Sequence, residues 1–273
     1  MPTVIYQHNE TSFLGYEGIQ VDASEGEETL ATAVRENLVD LEEKQRFQGD
    51  LEEVKGAIEQ TGFNAPEELL IDLQALNNPE PEDTRDWRIG ESIAEVILDG
   101  YYGARFYWNE LRDARNPYGN KTGADLVGFI ETNGEVLFLF GEVKTSSEER
   151  RPPLVMTGRG QMEDQLRDLY SNSKKQKTLI EYLASKTRNL APTDPFREDL
   201  SKALKNYYQP NDCRYQLFGV LVRDIEPAEE DLSQSYARLN ADILEPAGLR
   251  LLAVYMSIEK DDWEAIINQS NQN

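Results

Sequence analysis

The sequence predicts an α/β protein in which a mixed central sheet is flanked by helices. The first observation is a hairpin pattern, because β-rich apolar runs at 125–130 and 135–143 are joined through an Asn-Gly turn. The second is the strand composition of two later runs, at 215–222 and 249–258. The third is the helical periodicity of the intervening segments, which places helices between strands and therefore on a sheet.

Apolar spacing predicts the other elements of this core in order. A helix from Thr84 to Asp99 carries Ile89 and Ile93 on one face, and Gly100 is expected to end it. The remaining predicted elements are a strand at 101–108, a long helix at 160–186, a helical segment near 228–245 and a last helix at 261–268.

Residues 1–80 are predicted to be an acidic, mostly helical region ahead of a domain at 84–273. A short strand from Thr3 to Tyr6 and a loop lead to Ser24, which begins a capping pattern with Glu27. Three amphipathic helices follow, the third starting at Pro66. The Asn- and Pro-rich stretch 77–83 is predicted to link the two parts.

Charge is distributed unevenly along the chain. The net charge is −23, and residues 1–100 carry 24 acidic against 6 basic side chains. Such a surface repels nucleic acid. Residues 150–188, directly after the hairpin, instead hold 9 basic and 4 acidic side chains. The basic helix predicted at 174–188 within this segment is therefore the candidate surface for contacting a nucleic acid backbone.

The scarcity of histidine and cysteine limits the kinds of catalytic and metal site that the chain can form. The chain has one histidine, His8, and one cysteine, Cys213, which excludes a histidine-rich metal site, a cysteine-based zinc site and an internal disulfide. Catalysis would have to use carboxylates, lysine, glutamine, tyrosine or serine. No apolar run has the length of a membrane span and no signal peptide is visible, so we expect a cytoplasmic protein without membrane partners.

The hairpin brings three charged residues together. The start of its first strand lies beside the end of its second, so Asp125 is expected near Glu142 and Lys144. Residues two apart on a strand share a face, which places Glu142 and Lys144 on one side and Val143 on the other. Two carboxylates and an ammonium suit Mg²⁺ and a phosphate, since Mg²⁺ prefers oxygen ligands and takes one or two carboxylates.

The Glu-x-Lys pattern alone is a weak signal. It occurs at 42–44, 53–55 and 142–144. The first two copies lie in segments with helical periodicity, where residues two apart point in different directions, so they are interpreted as solvated helix faces. The third follows an apolar strand and has an aspartate at the other end of the hairpin, which favours a site over an isolated ion pair.

This order of elements, with the motif in its second hairpin strand, resembles the PD-(D/E)xK nuclease superfamily, which has the restriction-endonuclease-like fold. The matching residues are Glu91 in the first core helix, Asp125, Glu142, Lys144, and Gln161 and Gln165 in the helix that follows. The resemblance covers roughly residues 84–258.

The resemblance implies a role for each matching residue. Asp125 and Glu142 would bind Mg²⁺ or Mn²⁺, Lys144 would assist the attacking water, and Glu91 would add a metal ligand. Glu95, one turn along the same helix, is the alternative carboxylate. Gln161 is expected to hydrogen-bond in the active site, with Gln165 as the second candidate.

Chain size and the acidic N-terminal region resemble, more loosely, nuclease subunits of bacterial antiphage systems such as the Hachiman nuclease. That resemblance implies a DNA substrate and a helicase or other ATPase partner. The expected function is therefore metal-dependent hydrolysis of nucleic acid phosphodiester bonds within an antiviral defence complex. The alternative is a catalytically silent interaction module, or a DNA-mimic-like regulatory subunit, that uses the acidic surface of residues 1–100 to bind a basic partner.

Overall fold

A mixed β-sheet forms the centre of the computed structural model, which describes residues 2–34, 41–67, 69–71, 73, 85–107 and 123–270. The strands are β1 (Thr3–Asn9), β2 (Leu14–Val21), β3 (Leu126–Thr132), β4 (Glu135–Thr145), β5 (Tyr215–Arg223) and β6 (Ala247–Met256). Within the described residues they form one six-stranded sheet in the order β1-β2-β6-β5-β4-β3. The predicted α/β class with a mixed sheet is confirmed.

Helices connect and flank these strands. They are α1 (Ala23–Glu28), continued by a π-helical stretch over Thr29–Val34, α2 (Leu41–Gln60), α3 (Arg85–Tyr102), α4 (Met162–Ser171), α5 (Ser173–Lys186), α6 (Pro195–Tyr208), α7 (Ser233–Asp242) and α8 (Lys260–Ser270). Short 3-10 turns lie at Leu154–Met156 and Glu229–Asp231. None of the described helices combines the length and apolar character needed to cross a membrane.

The β3–β4 hairpin is present as predicted. Asn133 and Gly134 form its turn with φ of 54° and 79°, and positive φ at both positions matches the twist of the paired strands. The register runs from Thr132 opposite Glu135 to Leu126 opposite Gly141. Because β4 continues to Thr145, its last residues extend beyond the start of β3.

Parallel pairing carries the sheet from β4 through β5 to β6. Helices α4, α5 and α6 connect β4 to β5, and α7 connects β5 to β6. Phe138 and Phe140 of β4 lie in the core cluster that contains α4 to α7, whereas Leu137 and Leu139 lie in the cluster of α3 and α8. Side chains alternate along a strand, so Glu142 shares the face covered by α4 to α7.

The N-terminal strands differ from the prediction, because the expected loop after Tyr6 contains a second strand. Strand β2 pairs antiparallel with β1 and parallel with β6, so the hairpin is part of the central sheet. The sequence of β2 does not show a clear strand pattern, because Gly15, Glu17 and Gly18 interrupt the apolar alternation. Gly18 is needed there because a Cβ would overlap the ring of Tyr6.

The end of α3 also differs from the prediction. The helix passes through Gly100 and ends at Tyr102, and Gly103 follows with φ of 64°. The predicted strand over 101–108 is therefore wrong for its first residues, and what remains is one bridge between Arg105 and Phe129. Tertiary contacts extend the helix, because the hydroxyls of Tyr101 and Tyr102 donate hydrogen bonds to the buried Glu17 carboxylate.

Three helix boundaries were predicted incorrectly or missed. The long helix predicted over 160–186 is broken at Asn172, whose side chain accepts a hydrogen bond from the Lys175 amide and starts α5. The first helix begins after Asp22, which caps the Glu25 amide, and not at Ser24. Helix α6 was missed although Asp194 followed by Pro195 is a helix-start signal.

Several predictions fall on residues that the structure does not describe. The linker at 77–83, the predicted domain boundary and Trp108, the last residue of the strand predicted over 101–108, lie outside the described residues. Of the predicted helix starting at Pro66, the described positions 67, 69–71 and 73 are helical.

Candidate active site

A cleft of about 490 Å³ lies at the end of β4 that extends beyond β3. It is lined by Glu91, Gly123, Ala124, Asp125, Glu142, Val143, Lys144, Thr145, Gln165, Lys175 and Lys260. The cleft brings together the three hairpin residues that the sequence predicts as neighbours. Helices α3, α4, α5 and α8 supply the rest of its charged or polar lining.

Asp125 is fixed at the edge of β4. Its amide donates to the Gly141 carbonyl at 3.0 Å, which extends the hairpin ladder by one bond. Its carboxylate Oδ2 accepts from the Val143 amide at 3.0 Å, so the side chain occupies the place of a strand partner beside β4. Both contacts hold the carboxylate at the position where β3 begins.

Glu142 is the most deeply buried charged group of the cleft, with 1% of its surface exposed. It lies opposite Gly219 of β5. Its Oε2 is 3.6 Å from Lys144 Nζ, close enough for an ion pair but too long for a hydrogen bond. Among the described residues this buried oxygen has no hydrogen-bond partner.

The surroundings of Glu142 disfavour its charge. Burial raises the pKa of this carboxyl to about 9, the negative charge of Asp125 adds to the effect, and Lys144 and Lys175 oppose it. Burial and the neighbouring Asp125 carboxylate thus outweigh the attraction of the two lysines for an ionised Glu142. A bound divalent cation would remove this repulsion.

Close packing of α4 depends on a glycine opposite Glu142. A Cβ at Gly219 would lie 2.7 Å from Leu251 Cδ2 and 2.9 Å from Met162 Sδ. Without that Cβ, α4 rests directly on the sheet and brings Gln165 into the cleft. Gln161, which the sequence favoured, is the N-cap residue of α4 and lies outside the cleft lining.

Gln165 also has an unpaired polar atom. Its Oε1 is buried and has no hydrogen-bond partner among the described residues. An amide in that position can donate to, or accept from, a group that enters the cleft. The structure therefore places Gln165, the second candidate of the sequence, in the position expected for Gln161.

The choice between Glu91 and Glu95 follows from the rotation of α3. Both are buried, and Glu91 lines the cleft with Asp125 and Glu142. Glu95 lines a separate cavity of about 250 Å³ beside Arg105 and Tyr107. Of the two, Glu91 is the helix carboxylate that the fold brings to the hairpin residues.

Gly90 permits this approach of α3 to the end of β4. A Cβ at Gly90 would overlap Oγ1 of Thr145. We expect Gly90→Ala to lower the free energy of unfolding by about 1–3 kcal/mol, because overpacking costs more than the alanine gains in helix propensity. Thermal unfolding of the purified variant measures this change.

Gly100 provides the matched control in the same helix. No described atom would lie within 4 Å of a Cβ there, so Gly100→Ala is expected to stabilise the protein by about 0.5–1 kcal/mol. Adding Thr145→Ala to Gly90→Ala should recover most of the loss. Equal effects of Gly90→Ala and Gly100→Ala would contradict the close approach.

Two lysines of the cleft were not singled out from the sequence. Lys260 begins α8, and its amide donates to Asp224 Oδ2 at 2.9 Å. Lys175 lies in the first turn of α5 and belongs to the basic segment 150–188, which was the available signal. With Lys144 they place three ammonium groups around the carboxylates.

The donor set fits a cation that takes few protein ligands. The described residues contain no group of three or more histidine, cysteine, aspartate or glutamate side chains with metal-binding geometry. Asp125 and Glu142 form a pair, and the buried Glu142 Oε2 has no hydrogen-bond partner among the described residues. Mg²⁺ and Mn²⁺ accept such sites, since one or two carboxylates and several waters complete an octahedral shell.

The comparisons with known proteins give no independent identification. No protein-family model matches the sequence. A search of curated proteins also finds no significant match.

Proposed function

We propose that this protein is a metal-dependent hydrolase of nucleic acid phosphodiester bonds, with a restriction-endonuclease-like core. One observation carries the proposal: the buried Glu142 carboxylate has an oxygen without a hydrogen-bond partner among the described residues, in a cleft shared with Asp125 and 3.6 Å from Lys144 Nζ. Two acids and one ammonium at an accessible strand end suit phosphoryl chemistry better than a structural ion pair.

Asp125 and Glu142 would hold Mg²⁺ or Mn²⁺ in this site. When bound, the cation would lower the pKa of a coordinated water and neutralise charge on the phosphate. The Val143 amide keeps the Asp125 carboxylate in place through its hydrogen bond to Oδ2. Burial of Glu142 excludes bulk water, which strengthens each electrostatic interaction in the cleft.

Lys144 would act on the attacking water or on the phosphate. Its Nζ is on the same strand face as Glu142 and 3.6 Å from it, so it can reach a group held by the carboxylates. An ammonium there can orient the water by hydrogen bonding and stabilise charge that develops on a phosphoryl oxygen. Gln165 and the lysines at 175 and 260 surround the same space with further hydrogen-bond donors.

The charges of the cleft favour a polyanion as the substrate. Lysine side chains from β4, α5 and α8 line it together with the acidic pair. A nucleic acid strand presents a phosphate at each nucleotide and can meet several of these cations at once. DNA is the proposed substrate class.

Lys144→Ala tests the proposal. We expect cleavage of linear and circular DNA in the presence of Mg²⁺ or Mn²⁺ to fall about 10²-fold or more, because one preorganised donor to a developing charge has an effect of that size. Chelation with EDTA should abolish cleavage by the wild type. Gel analysis of product formation over time measures both effects.

Lys55→Ala is the matched control, since Lys55 belongs to a Glu-x-Lys pattern that lies on α2 and pairs with Glu59 at the surface. It should cleave at the wild-type rate. Cleavage that continues unchanged in Lys144→Ala would remove Lys144 from the mechanism. A wild type that cleaves neither DNA form with either metal would favour the silent interaction module.

A further inference from the structure

We propose that Lys175 binds a backbone phosphate of the nucleic acid substrate beside the Asp125–Glu142 pair, and that Asp168 holds it in place until the substrate arrives. This inference rests on the proposed function and identifies a substrate contact outside the hairpin. Lys175 is not adjacent to the motif in sequence, and it reaches the cleft through the fold.

The break between α4 and α5 directs Lys175 into the cleft. Asn172 ends α4 and starts α5, and its Oδ1 accepts from the Lys175 amide at 3.1 Å. If the two helices were one, the residues after 172 would continue along the axis of α4. The turn at Asn172 instead places Lys175, in the first turn of α5, beside Gly123, which precedes β3.

The aliphatic part of the Lys175 side chain crosses the main chain at Gly123. A Cβ at Gly123 would lie 2.5 Å from Lys175 Cε, and Gly123 has φ of 101°, which favours glycine. The lysine therefore passes directly over the residue that is two positions before Asp125. This close passage makes Lys175 part of the wall of the cleft, whereas Lys174 and Lys177 of the same helix are exposed.

Lys175 is partly covered, whereas its counterion is exposed. The Lys175 side chain is 18% exposed, and its Nζ lies 3.0 Å from Asp168 Oδ2, whose side chain is 51% exposed. An ion pair with so exposed an acid is weak, so a phosphate can replace Asp168 without leaving a buried charge behind. The released Asp168 would be solvated by water.

Lys177 shows what an ordinary surface lysine of α5 looks like. Its side chain is 70% exposed and pairs with Glu181 one turn along the helix at 3.6 Å. It does not line the cleft. On an ordinary solvated helix face, Lys175 and Lys177 would be similarly exposed. The structure instead places Lys175 in the wall of the cleft and leaves Lys177 exposed.

Two substitutions with opposite expected effects test the inference. Lys175→Ala should weaken binding of a fluorescently labelled DNA duplex and reduce the slope of log K against log salt by about 0.9, the value for one lost phosphate contact. Asp168→Asn removes the competing anion, so it should tighten binding about two- to fivefold. Fluorescence anisotropy over a salt series, with Ca²⁺ or EDTA present to prevent cleavage, measures both.

Steady-state kinetics and matched variants show whether Lys175 contributes to substrate binding or only to the folded structure. In Lys175→Ala, KM should rise roughly tenfold while kcat changes less than about twofold, and Lys175→Arg should retain most of the affinity. Lys177→Ala should leave the KM and the salt slope at wild-type values. Melting temperatures establish that each variant is folded, and Lys175→Gln serves if the alanine variant is not.

The outcomes distinguish this inference from the proposed function. An unchanged salt slope and KM in Lys175→Ala, with cleavage intact, would overturn the inference and leave the hydrolase standing. Weaker binding in both Lys175→Ala and Asp168→Asn would show a structural ion pair and would also overturn it. Opposite effects on binding without any cleavage by the wild type would support the phosphate contact and refute the hydrolase. A wild type that binds no DNA would refute both.

Discussion

Glu142→Gln is expected to raise the melting temperature of the metal-free protein by about 6–12 °C at pH 7 and to reduce DNA cleavage about 10³-fold. The stability gain arises because the wild type keeps a carboxyl buried beside Asp125, with a pKa raised to about 9. At pH 7 this carboxyl is ionised in the unfolded chain and protonated in the folded protein, so folding must take up a proton at a cost on the order of 3 kcal/mol. An amide of the same shape removes that cost, and proteins of this size gain about 2–4 °C per kcal/mol.

The pH dependence has a definite sign. A carboxyl whose pKa is higher in the folded protein than in the unfolded chain binds its proton more tightly when folded. Stability from this group is therefore fully present below about pH 4.3, the unfolded value, and is lost as pH rises toward about 9. The difference in melting temperature between Glu142→Gln and wild type should grow across that interval and vanish near pH 4.

Metal should reverse the order of stability. Mn²⁺ at about a thousand times its dissociation constant would stabilise the wild type by about 4 kcal/mol, more than its deficit in EDTA, whereas Glu142→Gln lacks a charged ligand and should gain much less. Differential scanning fluorimetry with EDTA or Mn²⁺ measures both proteins. Glu131→Gln, which changes an exposed carboxyl in the same hairpin, is the control and should resemble wild type. A Glu142→Gln variant less stable than wild type in EDTA would contradict the raised pKa of the Glu142 carboxyl.

Asp231→Ala is expected to destabilise the protein by about 3–5 kcal/mol, because it leaves a buried cation without its counterion. Arg223 and Asp231 form an ion pair with both side chains fully buried. The Tyr255 hydroxyl lies 2.8 Å from the other Asp231 oxygen. At about 2–4 °C per kcal/mol, the melting temperature should fall by roughly 10 °C.

The same pair anchors the chain that follows Lys144. Arg223 donates to the carbonyl of Ser146 at 3.3 Å and to the carbonyl of Glu148. Loss of Asp231 should therefore also disturb the end of β4 and lower cleavage at temperatures where the variant is folded. Circular dichroism melts and cleavage assays below the transition test the two effects.

Two comparison variants test whether the stability lost in Asp231→Ala comes from the unpaired charge of Arg223. The double variant Arg223→Met/Asp231→Leu removes both charges and should be more stable than Asp231→Ala. Glu181→Gln breaks the exposed pair with Lys177 and should change stability by less than about 1 kcal/mol. A double variant as unstable as the single one would show that shape, and not charge, dominates at this position.

Local sequence signals were sufficient for the hairpin and its three charged residues. Asn133 and Gly134 specify the turn, and the turn fixes the register of the two strands. That register places Asp125 beside the part of β4 that contains Glu142. Each step involves neighbours in sequence. The same reasoning identified the strands at 215–222 and 249–258, whose apolar composition reflects burial on both faces of a parallel sheet.

Features that depend on packing between elements distant in sequence could not be predicted from such local signals. The choice of Glu91 over Glu95 depends on how α3 is rotated against β4, which Gly90 and Thr145 decide. The choice between Gln161 and Gln165 depends on where α4 begins. Lys175 enters the cleft because of the break at Asn172, which helical periodicity alone does not show.

The pairing of β2 with β6 has a consequence for how the protein is made. Leu14 lies opposite Leu249, so β2 is synthesised long before its parallel partner β6. Until β6 is synthesised, the β1–β2 ribbon exposes a strand edge that can pair with other chains. Among the described strands, β1 and β2 can join the rest of the sheet only through β6, so the sheet is expected to be completed only after β6 has been synthesised.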